Sequence, residues 1–110
     1  MKLFLEDRER DTDEVVELSI SYRDLGPDIR TVKTLQKDAA RSTAETLFSG
    51  EALDMKSTFV SGMITAQIQM TFEGGAEVKL DVYNDRLAVD RTSETGYYLS
   101  TAFAGLRKTL

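Results

Sequence analysis

The chain of 110 residues contains no cysteine and no histidine, and these two absences narrow its chemistry more than anything that is present. Without cysteine there is no disulfide framework, no thiolate metal site and no cysteine nucleophile, a composition that suits a reducing, cytoplasmic compartment. Without histidine the commonest general base and transition-metal ligand are missing, together with the side chain that ordinarily titrates near neutrality. No apolar run approaches the ~20 residues needed for a membrane-spanning helix. The opening Met1-Lys2-Leu3-Phe4-Leu5 falls far short of a signal-peptide core, so no membrane association is expected.

Catalytic and cofactor motifs are also missing. The glycines around Gly74-Gly75 match neither the phosphate-loop nor the dinucleotide-binding spacing and read as a turn. The serines and threonines have no histidine to activate them and no nucleophile-elbow pattern around them. Asp11-Thr12-Asp13-Glu14 and the carboxylates from Asp81 to Asp85 lack the calcium-loop spacing and its central glycine. The expectation is a non-enzymatic protein without a metal or cofactor.

What is present is an acidic, well-patterned chain. Nineteen acidic residues against 14 basic ones give a net charge of −5, which repels nucleic acid at long range. With 41% hydrophobic and 30% charged residues, a single globular domain over residues 1–110 is expected.

Every residue from Glu6 to Glu14 except Thr12 is charged, which predicts a mobile solvated connector or the open end of a hairpin begun by Leu3-Phe4-Leu5. Val16, Leu18, Ile20 and Tyr22 then alternate with Glu17, Ser19 and Ser21, the period of a half-buried strand. Gly26-Pro27-Asp28 signals a helix start, and Ser49-Gly50 its end. At helical spacing Ile29, Val32, Ala39, Ala40, Thr43 and Leu47 share one side, with Leu35 at its margin.

Between Ile64 and Asp90 strand register can be tested against turn position. A three-residue loop Glu73-Gly74-Gly75 places Phe72 opposite Ala76, Met70 opposite Val78, Ile68 opposite Leu80 and Ala66 opposite Val82, all apolar. The intervening pairs are Thr71 with Glu77, Gln69 with Lys79, Gln67 with Asp81 and Thr65 with Tyr83, all able to face water. A two-residue loop would mix the two faces. A turn at Asn84-Asp85 then sets Val82 opposite Leu87, Leu80 opposite Val89 and Lys79 opposite Asp90. Beyond N-cap candidates at Thr92 to Thr95, a second helix gathers Leu99, Ala102, Phe103, Leu106 and Leu110, headed by Tyr97-Tyr98.

The expected fold is therefore α+β: two layers, with strand, helix, three-stranded meander and helix in order, both helices on one face of an antiparallel sheet, and Leu3-Phe4-Leu5 a candidate edge strand. Its other face would carry Thr65, Gln67, Gln69, Thr71, Lys79, Asp81 and Tyr83. Phe59 and Met63 continue the same parity unless Gly62 introduces a bulge. Phe59, Met63, Thr65, Gln67, Gln69, Thr71 and Tyr83 form the candidate interface, with Phe59, Met63 and Tyr83 as its apolar patch. Arg30, Lys33, Lys37 and Arg41 form a weak basic stripe on the first helix, read as a solvated face rather than a phosphate track.

The functional expectation is a protein-interaction module, an adaptor, assembly or accessory protein that self-associates as a homodimer or docks on another protein. One alternative is an acidic inhibitor of a nucleic-acid-handling protein. The other is a small ligand-binding domain or enzyme with a pocket between helices and sheet.

Overall fold

In the computed structural model, which describes residues 1–23, 30–56 and 62–108, the fold is organised around the hairpin of β6 (Ile64–Phe72) and β7 (Glu77–Tyr83). Its register is Ala66 with Val82, Gln67 with Asp81, Ile68 with Leu80, Gln69 with Lys79, Met70 with Val78 and Thr71 with Glu77, as the apolar alternation requires. The Phe72 N–H donates to the Ala76 carbonyl at 2.8 Å, closing the Glu73-Gly74-Gly75 loop, in which both glycines have φ of +93°. That positive φ is open to glycine at little cost. At the far end the register shifts at Thr65, which bulges out, so Ile64 rather than Thr65 pairs with Tyr83.

The next turn departs from expectation by one residue. Tyr83 pairs with Leu87, Val82 with Ala88 and Asp81 with Val89, so β8 (Leu87–Asp90) follows a three-residue turn that includes Arg86. Asn84 and Asp85 are both left-handed, and the Arg86 N–H donates to the Tyr83 carbonyl at 3.0 Å. The Thr65 bulge holds this turn: its hydroxyl donates to Asp85 Oδ1 at 2.6 Å, and the Asp85 N–H donates back to Thr65 Oγ1 at 2.8 Å. The expected pairing of Leu80 with Val89 and of Lys79 with Asp90 is thus replaced. Val89 lies on the face of Asp81, and Asp90 turns inward.

Two segments expected as helix are strands. Residues from Arg30 to Gln36 form β4, paired one-for-one with β3 (Val15–Arg23). Thr31, Val32 and Thr34 are β-branched and fit a pleated strand better than a helix. The helix α1 (Lys37–Leu47) opens on a left-handed Lys37 (φ 55°), which redirects the chain, and it buries Ala40, Ala44 and Leu47, with Ala39 exposed. Ser49-Gly50, expected to close that helix, lie within β5 (Phe48–Asp54). Likewise Tyr97-Tyr98 lie in β9 (Thr95–Leu99), and α2 runs only from Thr101 to Lys108, anchored by a fully buried Phe103 against Tyr22 at 5.4 Å between rings. Gly26, Pro27, Ile29 and Leu110 lie outside the described residues.

The result is an α+β fold with a seven-stranded antiparallel sheet in the order β4-β3-β6-β7-β8-β9-β5. β1 (Lys2–Leu5) and β2 (Arg8–Asp11) do not join its edge but form a separate hairpin. Its Glu6-Asp7 turn has φ of 52° and 61°, the left-handed pair that matches strand twist in a two-residue connection. Leu3 and Leu5 enter the same core as Leu18, Ile68, Leu80, Leu47 and Phe103.

α1 joins the two edge strands. Its 11 residues span about 16 Å at ~1.5 Å per residue. Seven flat strands would separate those edges by about 29 Å at ~4.8 Å per strand. The sheet therefore curls, with α1 against β3, β4 and β5 on the inside of the curl and the opposite face outside.

Candidate functional site

The outer face of the sheet is built in rows that the strand registers define. One row runs Thr34, Ser19, Gln69, Lys79; the next runs Val32, Ser21, Gln67, Asp81, Val89, Gly96, Leu53; a third runs Gln36, Glu17, Thr71, Glu77. Across β4, β3 and β6 this face consists mostly of hydroxyls and carboxamides. Ser19 Oγ and Thr34 Oγ1 lie 3.1 Å apart, Gln36 Nε2 donates to Glu17 at 3.4 Å, and Gln67 Nε2 donates to Asp81 Oδ1 at 3.2 Å. Such groups are both donors and acceptors, so the face can meet a polar partner without burying an unpaired charge.

Beyond β7 the face changes character. Val89 is 2% exposed and Tyr83 7% exposed although both point outward. Arg91 stacks on the Tyr83 ring at 5.3 Å and pairs with Asp81 at 3.5 Å. Met55 folds across Gly96, where an added Cβ would meet its sulfur at 2.9 Å. A shallow groove of about 380 Å³ opens between Gln67, Lys79, Asp81 and Arg91. A second, of about 350 Å³, lies at the β5 edge between Phe4, Ala52, Leu53 and Thr95.

The structure distributes the expected interface residues unevenly. Gln67 is exposed, and Gln69 and Thr71 are half-buried beside it on one surface. Thr65 is engaged in the turn clasp with Asp85. Tyr83 is covered, so it adds little to an apolar patch, and Met63 stands exposed at the mouth of β6. Phe59 lies outside the described residues. Ser19, Ser21, Val32 and Thr34 belong to this surface and were missed; the alternation of β3 signalled the first two, whereas the helical reading of β4 concealed the others.

The basic stripe is divided. Arg30 and Lys33 sit in β4 and Lys37 at the strand–helix junction. Arg41 alone faces α1's surroundings, where its guanidinium donates to the Val15 carbonyl and to Glu73 at 3.1 Å each. The acidic run near the hairpin is used locally: Asp11 accepts from the Asp13 N–H, which holds its carboxyl below the usual carboxylate range, with the charges of the N-terminus and Lys2 adding to the effect. Among the described residues no cluster of acidic side chains is arranged to hold a metal ion, and no helix is long and apolar enough to cross a membrane.

Comparison with known proteins gives no match to any family, curated protein or solved structure.

Proposed function

We propose that this protein is a non-enzymatic interaction module whose outer sheet face docks on another folded surface. The observation that carries the reading is the array of exposed and half-buried polar side chains Ser19, Ser21, Thr34, Gln67, Gln69 and Thr71, set opposite a face whose apolar side chains are spent on the core. Hydroxyl and carboxamide groups are self-complementary, so a second copy is the first partner to examine, in a two-fold arrangement in which the same patch faces itself.

The test is sedimentation of the wild type and of a Gln67→Arg, Gln69→Arg variant across a concentration series, with circular dichroism as the control for folding. A reversible dimer that the folded variant fails to form is the expected result. If the wild type is monomeric throughout, a pull-down comparing the two proteins follows. A partner retained equally by both would overturn the assignment to this face.

A further inference from the structure

We propose that the free edge of β4 is a strand-addition site for an extended acidic segment of a different protein. This goes beyond docking by the outer face, since it uses backbone groups at the rim of the sheet. β4 pairs with β3 over all seven of its residues without a bulge, and none of the described residues pairs with its other side. An edge strand of this kind presents a row of backbone N–H and C=O groups to any chain that can lie alongside.

The opposite edge is different. β5 has an irregularity between Phe48 and Ala52, and only Ala52, Leu53 and Asp54 follow in regular pairing with β9. It also carries Glu51 and Asp54, both exposed. A bulge and inserted charge are the usual ways a sheet edge is closed to strangers. β4 has neither a bulge nor an acidic residue, and Val32 is 59% exposed on it.

Charge decides the occupant. Lys33 and Lys37 have no ion pair among the described residues, on a chain whose net charge is −5. An antiparallel second copy centred on Lys33 would set Lys33 against its own equivalent. That is the register in which all seven residues of β4 find a partner. Like charges directly opposite each other destabilise a strand pair, so β4 disfavours itself. The acidic β5 edge of another copy offers too short a regular stretch to fill the site. A partner strand with a carboxylate at the position beside Lys33 and β-branched residues beside Val32 and Thr34 meets both the charge and the pleat, and Lys37, just past the end of β4, adds to the attraction for an acidic chain.

The probe is a peptide of β4's own length, seven residues, alternating valine with glutamate, and its lysine counterpart, each titrated into the isotope-labelled full chain and followed by amide chemical shifts. The expected result is saturable binding of the glutamate peptide with shifts confined to β4 and the start of α1. Raising the salt or introducing Lys33→Glu should weaken it by about tenfold or more, and Lys33→Glu should gain binding of the lysine peptide. Lys37→Glu serves as the second variant should the first be unfolded.

Equal binding of both peptides by the wild type, shifts centred on the outer face or β5, or no saturable shift would each overturn the proposal. These readouts map to residues other than Gln67 and Gln69, so failure here and failure of outer-face docking are distinguishable.

Discussion

The two halves of the sheet are held by different forces. In the half made by β3, β6 and β7 the strands are nine, nine and seven residues long. Their inward side chains, among them Leu18, Ile20, Ile68, Met70, Leu80 and Val82, are fully buried. In the half made by β8, β9 and β5 the inward row contains Asp90, Thr95 and Tyr97, and the β1–β2 hairpin is tied to it by hydrogen bonds. The Glu6 N–H donates to Asp90 Oδ2 at 2.6 Å and the Phe4 N–H donates to Tyr97 Oη at 2.6 Å. Burying one large aliphatic side chain is worth ~1.5–3 kcal/mol, whereas a hydrogen bond nets ~0.5–1.5 kcal/mol. The first half therefore supplies most of the stability, and the second determines where the hairpin sits.

This division can be broken from its stronger side first. Leu80→Ala removes a fully buried side chain from the middle of the long strands, and an expected loss of ~2–5 kcal/mol follows from the transfer and cavity terms together. Denaturant unfolding measures it. A loss below ~1 kcal/mol, typical of a surface site, would contradict the packing-dominated half.

Asp90→Ala probes the other half. The Asp90 carboxylate is 2% exposed and accepts from the Glu6 N–H, the Thr92 N–H and the Ser93 hydroxyl, the last at 2.5 Å. Leaving these donors without a partner should cost about 2–3 kcal/mol. The loss should be accompanied by faster amide exchange at Glu6, with the β6 and β7 amides protected as before. Uniform loss of protection would show that the two halves unfold as one unit.

The same contrast explains what could be read from the residues alone. Over Ala66–Phe72 and Glu77–Val82 apolar and polar residues alternate, so a one-residue slip puts Phe72 or Met70 opposite a charge, and the loop length then selects the register. In β8 the run Leu87, Ala88, Val89 is apolar throughout, so Asp81 faces an apolar residue in either register and the pattern does not choose between them. Nothing local reveals that Asp90 turns inward, because its partners at Glu6 and Ser93 are assembled only by the fold. β4 was concealed for a related reason: Val32 and Leu35 satisfy a helical period, and what makes a strand of them is the paired edge of β3. The outer face was legible where β6 contributes Gln67, Gln69 and Thr71. It was incomplete where β4 adds Val32 and Thr34.

The smallest expected effect separates the polar half into its parts. Tyr97 is 1% exposed, and burial pushes its phenol above the ordinary 10.0, with Asp90 adding to the rise and the Phe4 N–H opposing it. Because the raised value favours the neutral phenol in the folded chain, its contribution is complete below pH 10.0 and is lost as the pH rises through the folded value. Tyr97→Phe should cost about 1 kcal/mol at neutral pH, since the Phe4 N–H loses its acceptor at a site partly open to water. The variant should also lose part of the wild type's alkaline fall in stability, because phenylalanine has no proton to release. Urea unfolding of both proteins at neutral pH and above pH 10.0 measures the two effects separately. Parallel alkaline curves would assign the hairpin's attachment to Asp90 alone and leave the Tyr97 hydroxyl a bystander in the half that hydrogen bonds hold.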